Sequence, residues 1–141
     1  LSLKIGKLAV IRRSDSIVEL EKARQQRLGD PYTLPMMNAF IAAGRNDAAT
    51  ADAEIAKAES AAVRAHDHYT LVAEINVLLN RQRQVIAALD SAVARSEPSL
   101  TYIVSSPLFA YLETDPRFTK LKRVIREKTT QLSAALKTIA L

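Results

Sequence analysis

The sequence predicts an all-α protein, and three observations carry that prediction. Alanine, leucine, arginine, lysine, glutamate and glutamine dominate the chain, and all are good helix formers. Only three of the 141 residues are glycine, and the β-branched residues are scattered rather than clustered. Turn and cap signals divide the chain into segments of helical length, and these segments fall into pairs joined by very short turns.

The elements follow in order. Leu1, Ile5 and Leu8 share one face, so 1–13 reads as a helix or the end of one. Residues 14–16, Ser-Asp-Ser, offer a cap, and Ser16 with Glu19 makes a capping box. The second helix runs to about Leu28, where Gly29, Asp30 and Pro31 stop it. The third covers roughly 33–44 and ends at Gly44, a residue suited to the position just past a helix. Asn46 or Asp47 caps the fourth, which continues to about Ala65. His66, Asp67 and His68 break the pattern, with Asp67 as the cap of a fifth helix over about 69–80. Asn80 with Arg81 forms a tight connection to a sixth, from 82 to about 96. After the stop at 96–99 come short pieces at 99–104 and 107–113, then a long final helix from about 116 to 140.

The pairs recur. Ala23, Ala56 and Ala92 take the same place in three successive second helices, at spacings of 33 and 36 residues. Three positions before them stand Leu20, Ala53 and Leu89, and seven before them Ser16, Ala49 and Val85. Small residues there let the second helix approach its neighbours closely. A period near 34 built from helix–turn–helix units is the pattern of a solenoid. The predicted architecture is a right-handed α-solenoid of about three helix–turn–helix repeats with a C-terminal capping helix. It forms one domain over 1–141, with repeats at 1–31, 33–66 and 69–98 and a capping region at 99–141.

Residues 33–66 and 69–98 resemble tetratricopeptide repeats. The second unit places Tyr69, Val72, Ala73, Leu89, Ala92 and Pro98 close to the family's positions. It departs from them in having no tryptophan, Val85 for a usual alanine and Asn80 for the turn glycine. The first unit keeps Gly44, Ala49 and Ala56. The stretch PLFAYLETDPRFTKL, with Pro107, Phe109, Leu112, Asp115, Pro116, Arg117, Phe118 and Leu121, resembles the ending of repeat domains in bacterial signalling proteins. Winged-helix transcriptional regulators, class III adenylate cyclases and serine/threonine kinases carry such domains.

That stretch also has a purely physical reading. Ser106 caps a helix start and Pro107 takes its first position, where the missing N–H costs nothing. Asp115 and Pro116 repeat the device. Two abrupt starts re-aim the chain, so Phe109, Leu112 and Phe118 can fold over the apolar end of the stack. The last helix continues with Leu121, Ile125, Leu132, Leu136 and Ile139 on one stripe.

Little in the sequence suggests a reaction. The absence of cysteine excludes disulfides, thiol catalysis and cysteine-ligated metals within this chain. His66 and His68 stand two apart and do not share a helix face, so they read as solvated rings at a turn rather than as a metal site. Glu54, Glu59 and Glu74 have no spacing that requires an acid–base pair, and no glycine-rich phosphate loop is present. The chain is therefore read as a non-enzyme without metal or cofactor. No apolar run is long enough to span a bilayer. No signal peptide is visible and the first residue is not methionine, so the expectation is a fragment of a longer protein. Its expected place is the cytoplasm, or the periplasm if it is attached to a transmembrane regulator.

The net charge of +5 raises the prospect of an acidic partner. The excess sits at the end, where Arg117, Lys120, Lys122, Arg123, Arg126, Lys128 and Lys137 face only Glu127. A solvated face is the ordinary reading of such a run. Nucleic-acid binding through Lys120, Lys122, Arg123 and Arg126 is the alternative. The tetratricopeptide resemblance implies a groove lined by the first helix of each pair, at Leu34, Asn38, Ile41, Thr70, Glu74 and Val77. Such a surface suits an amphipathic helix or an extended peptide. The occupant is a protein partner, another domain of the same protein or a second copy. The functional expectation is a protein–protein interaction module of a bacterial signalling or transcriptional regulatory protein. A ligand-sensing effector domain that controls an attached DNA-binding or catalytic domain is the alternative.

Overall fold

The structure, a computed structural model, describes residues 17–23, 26 and 30–139. Every regular element among them is helical. We name α1 (Thr33–Gly44), α2 (Ala48–Glu59), α3 (His68–Leu78), α4 (Gln82–Ala94), α5 (Leu100–Ser105) and α6 (Pro116–Ile139). A 3-10 helix, Pro107–Leu112, joins α5 to α6, and residues 17–23 are also helical. The expected helix over 1–13, the Ser16 capping box and most of the repeat at 1–31 lie outside the described residues.

Two helical hairpins, α1–α2 and α3–α4, touch through α1 and α3. Each tight turn holds an asparagine in the left-handed region, Asn46 at φ 60° and Asn80 at φ 58°. Asparagine tolerates that conformation better than most residues. The hydrogen bonds around them match. Asn46 N and Asp47 N donate to Ala43 O and Ala42 O, and Asn80 N and Arg81 N donate to Val77 O and Asn76 O. Both are Schellman-type endings, which satisfy the last carbonyls of a helix. Gly44, expected to supply the left-handed residue, is instead the last residue of α1. Its missing Cβ admits the Ile17 side chain, which would lie 2.7 Å from a Cβ there.

The turns set a register of 34 positions between the hairpins. In that register Ala39 matches Ala73, Ile41 matches Ile75, Ala51 matches Val85 and Ala58 matches Ala92, and all eight are buried. The small position of the first hairpin is thus Ala58. Ala56, which the sequence pairs with Ala92, is exposed. The cause is the start of α2, where Asp47 takes the cap and accepts from Thr50 N at 3.1 Å. Helix α2 also stops at Glu59 instead of running to Ala65. The Ser60 hydroxyl covers Lys57 O at 2.6 Å, and Arg64 covers Glu59 O at 2.7 Å.

Two cores meet at α3. Met36, Ala39, Ala43, Ala51, Ala58, Ile75 and Leu79 form one. Ala73, Val85, Leu89, Ala92, Ile103, Phe109, Leu112, Phe118, Leu121 and Ile125 form the other. Helix α3 contributes to both, and Val72 packs against each. Its own cap residue, Asp67, makes no side-chain capping bond. The cap comes from Glu97 instead. The buried Glu97 carboxylate accepts from Tyr69 N, Thr70 N and Thr70 Oγ1, each at 2.9 Å. Ser96, in the left-handed region at φ 49°, turns the chain so that Glu97 points back to α3.

The close of the chain follows the expected devices. The Ser106 hydroxyl accepts from Leu108 N at 3.2 Å, and Pro107 opens the 3-10 helix. Asp115 accepts from Arg117 N at 2.9 Å, and Gln82 of α4 donates to its Oδ2 at 2.8 Å. The Arg117 side chain also binds Asp115, and these bonds hold its carboxyl well below the usual carboxylate range. The stripe of α6 docks only in part. Phe118, Leu121 and Ile125 are buried, but Leu132, Leu136 and Ile139 are 62%, 57% and 80% exposed. The last tether is Lys128, which donates to Val93 O at 2.6 Å.

Leucine at Ala58 or Ala92 overpacks the hairpins and is expected to cost about 1–3 kcal/mol in each case. Ala56→Leu is expected to stay within about 0.5 kcal/mol, since it changes only an exposed site. Urea unfolding of the three variants checks the register, and a damaging Ala56→Leu beside a neutral Ala58→Leu would overturn it. Glu97→Ala strips a carboxylate from three donors and is expected to cost about 1.5–3 kcal/mol. Hydrogen exchange reads the location of that loss, because the first-turn amides of α3 should lose protection before those of α1.

Candidate functional site

Four places could carry a function. The first is the predicted groove. Ile41 and Thr70 are buried, at 4% and 2% exposure, while Leu34, Asn38, Glu74 and Val77 are half-buried. The Thr70 hydroxyl is taken by Glu97, and Asn38 Nδ2 donates to Glu54 of α2 at 3.3 Å. In the observed register Leu34, Asn38 and Ile41 correspond to His68, Val72 and Ile75 of α3. Thr70, Glu74 and Val77 stand two positions further on, and two positions on a helix amount to roughly 200° of rotation. The six residues therefore occupy corresponding helices but not corresponding faces.

Glu74 is the electrostatically unusual member of that set. Burial pushes its carboxyl up to about 7, and the charge of Asp67 adds to the shift. A carboxyl in this state holds its proton near neutrality.

The histidine turn differs from its expectation. His66 is exposed, but His68 is 2% exposed and lies inside the molecule. Its Nδ1 is 2.8 Å from the Tyr32 hydroxyl and its Nε2 is 3.1 Å from Glu59 Oε1. A carboxylate can only accept, so we assign the ring proton to Nε2, and Nδ1 accepts from Tyr32. Burial raises the Tyr32 hydroxyl to about 12, so it remains a donor. His68 thus joins the start of α1, the end of α2 and the start of α3. Periodicity could not show this, because the partners are 36 and 9 positions away. Among the described residues no three of His, Cys, Asp and Glu gather as metal ligands would.

The basic helix splits into engaged and open cations. Lys122 binds both Glu113 oxygens, at 2.8 and 2.7 Å, and lies over the Phe118 ring. Arg117 is held by Asp115, and Lys128 by Val93 O. Lys120, Arg123 and Arg126 are exposed and make no such bonds among the described residues. No helix among the described residues is long and apolar enough to cross a membrane.

The fourth place is a cleft of about 360 Å³ between the hairpins, which the sequence did not reveal. Helix α3 forms its floor with Tyr69, Val72 and Asn76. One wall is α2, with Asp52, Ile55, Ala56 and Glu59, and the other is α4, with Arg81, Gln84, Ala87, Ala88 and Ser91. The spacings are helical, so each helix offers one face. Alanines keep the walls low. A bidentate ion pair closes one end, where Arg81 reaches the two Asp52 oxygens at 2.8 and 3.1 Å. Glu59 and Tyr69 mark the other end, and Arg95 lies 4.9 Å from the Tyr69 ring centre. The one sequence signal available was Asn76, a polar residue at the position that Ala42 fills in the first hairpin.

The chain matches no model of a known protein family, no curated protein and no solved structure. The functional reading therefore rests on the residues and their geometry.

Glu74 supplies a test of its surroundings. The unfolded carboxyl titrates near 4.3 and the folded one near 7. Between these values the folded chain binds more protons, so stability falls as pH rises through that window and stays reduced above it. Glu74→Gln removes the effect. Thermal melts should show the variant more stable than the parent at pH 8 and equal to it at about pH 4. A variant less stable than the parent at pH 8 would rule out the desolvated carboxylate.

Proposed function

We propose that this chain is a protein–protein interaction module, a tetratricopeptide-like right-handed α-solenoid that serves a bacterial signalling or transcriptional regulatory protein. The observation that carries the reading is the 34-position recurrence of turn, small residue and core residue in two successive hairpins. Units that share a register stack side by side and present extended surfaces, which suit peptides and helices. The signalling context rests on the resemblance carried by Pro107 to Leu121. The burial of Phe109, Leu112 and Phe118 supports reading that stretch as a closing device for the stack. This function assigns the chain no reaction of its own.

A two-armed binding experiment tests it. The purified chain is offered a displayed library of linear peptides, and separately titrated with duplex and single-stranded DNA at about 150 mM salt, where screening acts over about 8 Å. Selected peptides that bind in solution are expected. DNA binding is expected to be weak, because Lys122, Arg117 and Lys128 are already engaged. Submicromolar DNA binding lost on charge reversal of Lys120, Arg123 and Arg126, with no peptide selected, would replace the interaction module by a nucleic-acid binder.

A further inference from the structure

We propose that the end of α6, residues 129–139, pairs with the same segment of a second copy of this chain as a short antiparallel helix pair. The inference adds to the interaction-module reading and does not rest on it. It starts from the repeat register. Helices α2, α4 and α6 begin at Ala48, Gln82 and Pro116, 34 positions apart. The segments before them keep that register, since Ile41, Ile75 and Phe109 are all buried. Helix α2 has 12 residues and α4 has 13, but α6 has 24. The residue that matches Ala94, the end of α4, is Lys128. There the Lys128 ammonium binds Val93 O and Ser96 Oγ, at 2.6 and 3.2 Å. The repeat is complete at Lys128, and residues 129–139 exceed it.

The excess is built as a contact face. Leu132, Leu136 and Ile139 stand at i, i+4 and i+7 and share one side of the helix, and they are exposed. Thr129 precedes them on that side. Its hydroxyl donates to Ile125 O at 2.9 Å, and those of Thr130 and Thr138 donate to Arg126 O and Ala134 O. These hydroxyls are satisfied within the helix, so the face offers an occupant apolar contact. Thr129, Leu132, Leu136 and Ile139 follow steps of three and four, the spacing of a two-helix seam.

Charge selects the occupant and its direction. From Pro116 to Lys128 the helix holds six cations and one anion, Glu127. Residues 129–139 hold one charge, Lys137. An acidic partner is drawn to the part before Lys128 and not to the apolar face beyond it. A neutral apolar helix matches that face, and the segment is itself such a helix. Parallel pairing would set the two basic halves side by side. Antiparallel pairing sends them to opposite ends, about 16 Å apart at 1.5 Å per residue, beyond a screening length of about 8 Å. In that direction Leu132 meets Leu136 of the partner subunit, and Thr129 meets Ile139 of the partner subunit. A seam this short buries less than the roughly 800 Å² per partner of a stable interface, so the dimer is weak and reversible.

Sedimentation equilibrium of the purified chain tests the proposal. A monomer at about 10 µM that becomes a dimer towards about 1 mM is expected. Leu132→Gln with Leu136→Gln, which removes apolar contact without adding charge, should raise the dissociation constant about tenfold or more. At the low concentration the same variant should melt with the parent, because both sites are exposed. The chain has no cysteine, so a Thr129→Cys, Ile139→Cys double variant reads the direction. Oxidised at high concentration, it should link position 129 of one copy to position 139 of the other. Links between like positions, a chain that stays monomeric throughout, or dimerisation that survives the two glutamines overturns the proposal. A dilute glutamine variant that melts several degrees below the parent also overturns it, since another part of the same chain would then cover the face.

Discussion

The fold depends on how helix α3 begins. A helix start exposes backbone N–H groups that need acceptors, and α3 begins inside the molecule between two cores. Its local cap residue, Asp67, makes no capping bond, so the acceptor arrives from the chain that follows α4. Three donors on one carboxylate, together with the positive end of the helix, offset the burial of Glu97. The bond also closes a hairpin. Glu97 can reach Tyr69 and Thr70 only if α4 runs back along α3 and ends where α3 starts. One interaction thus fixes the length of α4, the path of the turn at Ser96 and the alignment of the second hairpin.

From that point the structure extends in both directions. Toward the first hairpin, His68 leaves the α3 start and meets Tyr32 and Glu59, so three helix ends converge on one ring. Toward the C-terminus, Ala73, Val85, Leu89 and Ala92 present a surface that Phe109, Leu112 and Phe118 cover. Asp115 then binds both Arg117 and Gln82, which ties the start of α6 to the start of α4. Polar groups mark the ends of the helices and apolar groups fill the spaces between them. The cleft above Asn76 lies at the seam between the hairpins, where the edges of both cores meet at Val72.

Cleft and basic helix pose different recognition problems. Phosphate binding needs cations that are free to release counterions, and several of the cations on α6 already serve the fold. In the cleft the Arg81 guanidinium is engaged by Asp52, Arg95 lies over the Tyr69 ring at the other end, and alanines line much of the walls. The shared register and the lining of the cleft are separate matters, because matched positions such as Met36 and Thr70 or Ala42 and Asn76 differ in polarity between the hairpins.

The sequence by itself determined the all-helical class, the turns at Asn46, Asn80 and Ser96 and the closing devices at Ser106, Pro107, Asp115 and Pro116, though not the stop of α2 at Glu59. These are local events, in which a residue acts on a backbone group within two or three positions, and sequence order preserves that proximity. It also revealed that the units recur. The register between them came out two positions away in the first hairpin, because Ala56 and Ala58 look alike in an alanine-rich helix and only the cap at Asp47 decides which one faces inward. The groove positions inherited the same ambiguity. A shift of two residues rotates a helix by more than half a turn, so Leu34, Asn38 and Ile41 did not land on the face of Thr70, Glu74 and Val77. The half-docked state of α6 was equally hidden, since an apolar stripe does not state how far its neighbour extends. Tertiary structure alone decided the burial of His68, the long-range cap by Glu97 and the cleft. Each brings together residues from distant parts of the chain, and such meetings are set by the packing of whole helices rather than by any spacing along the sequence.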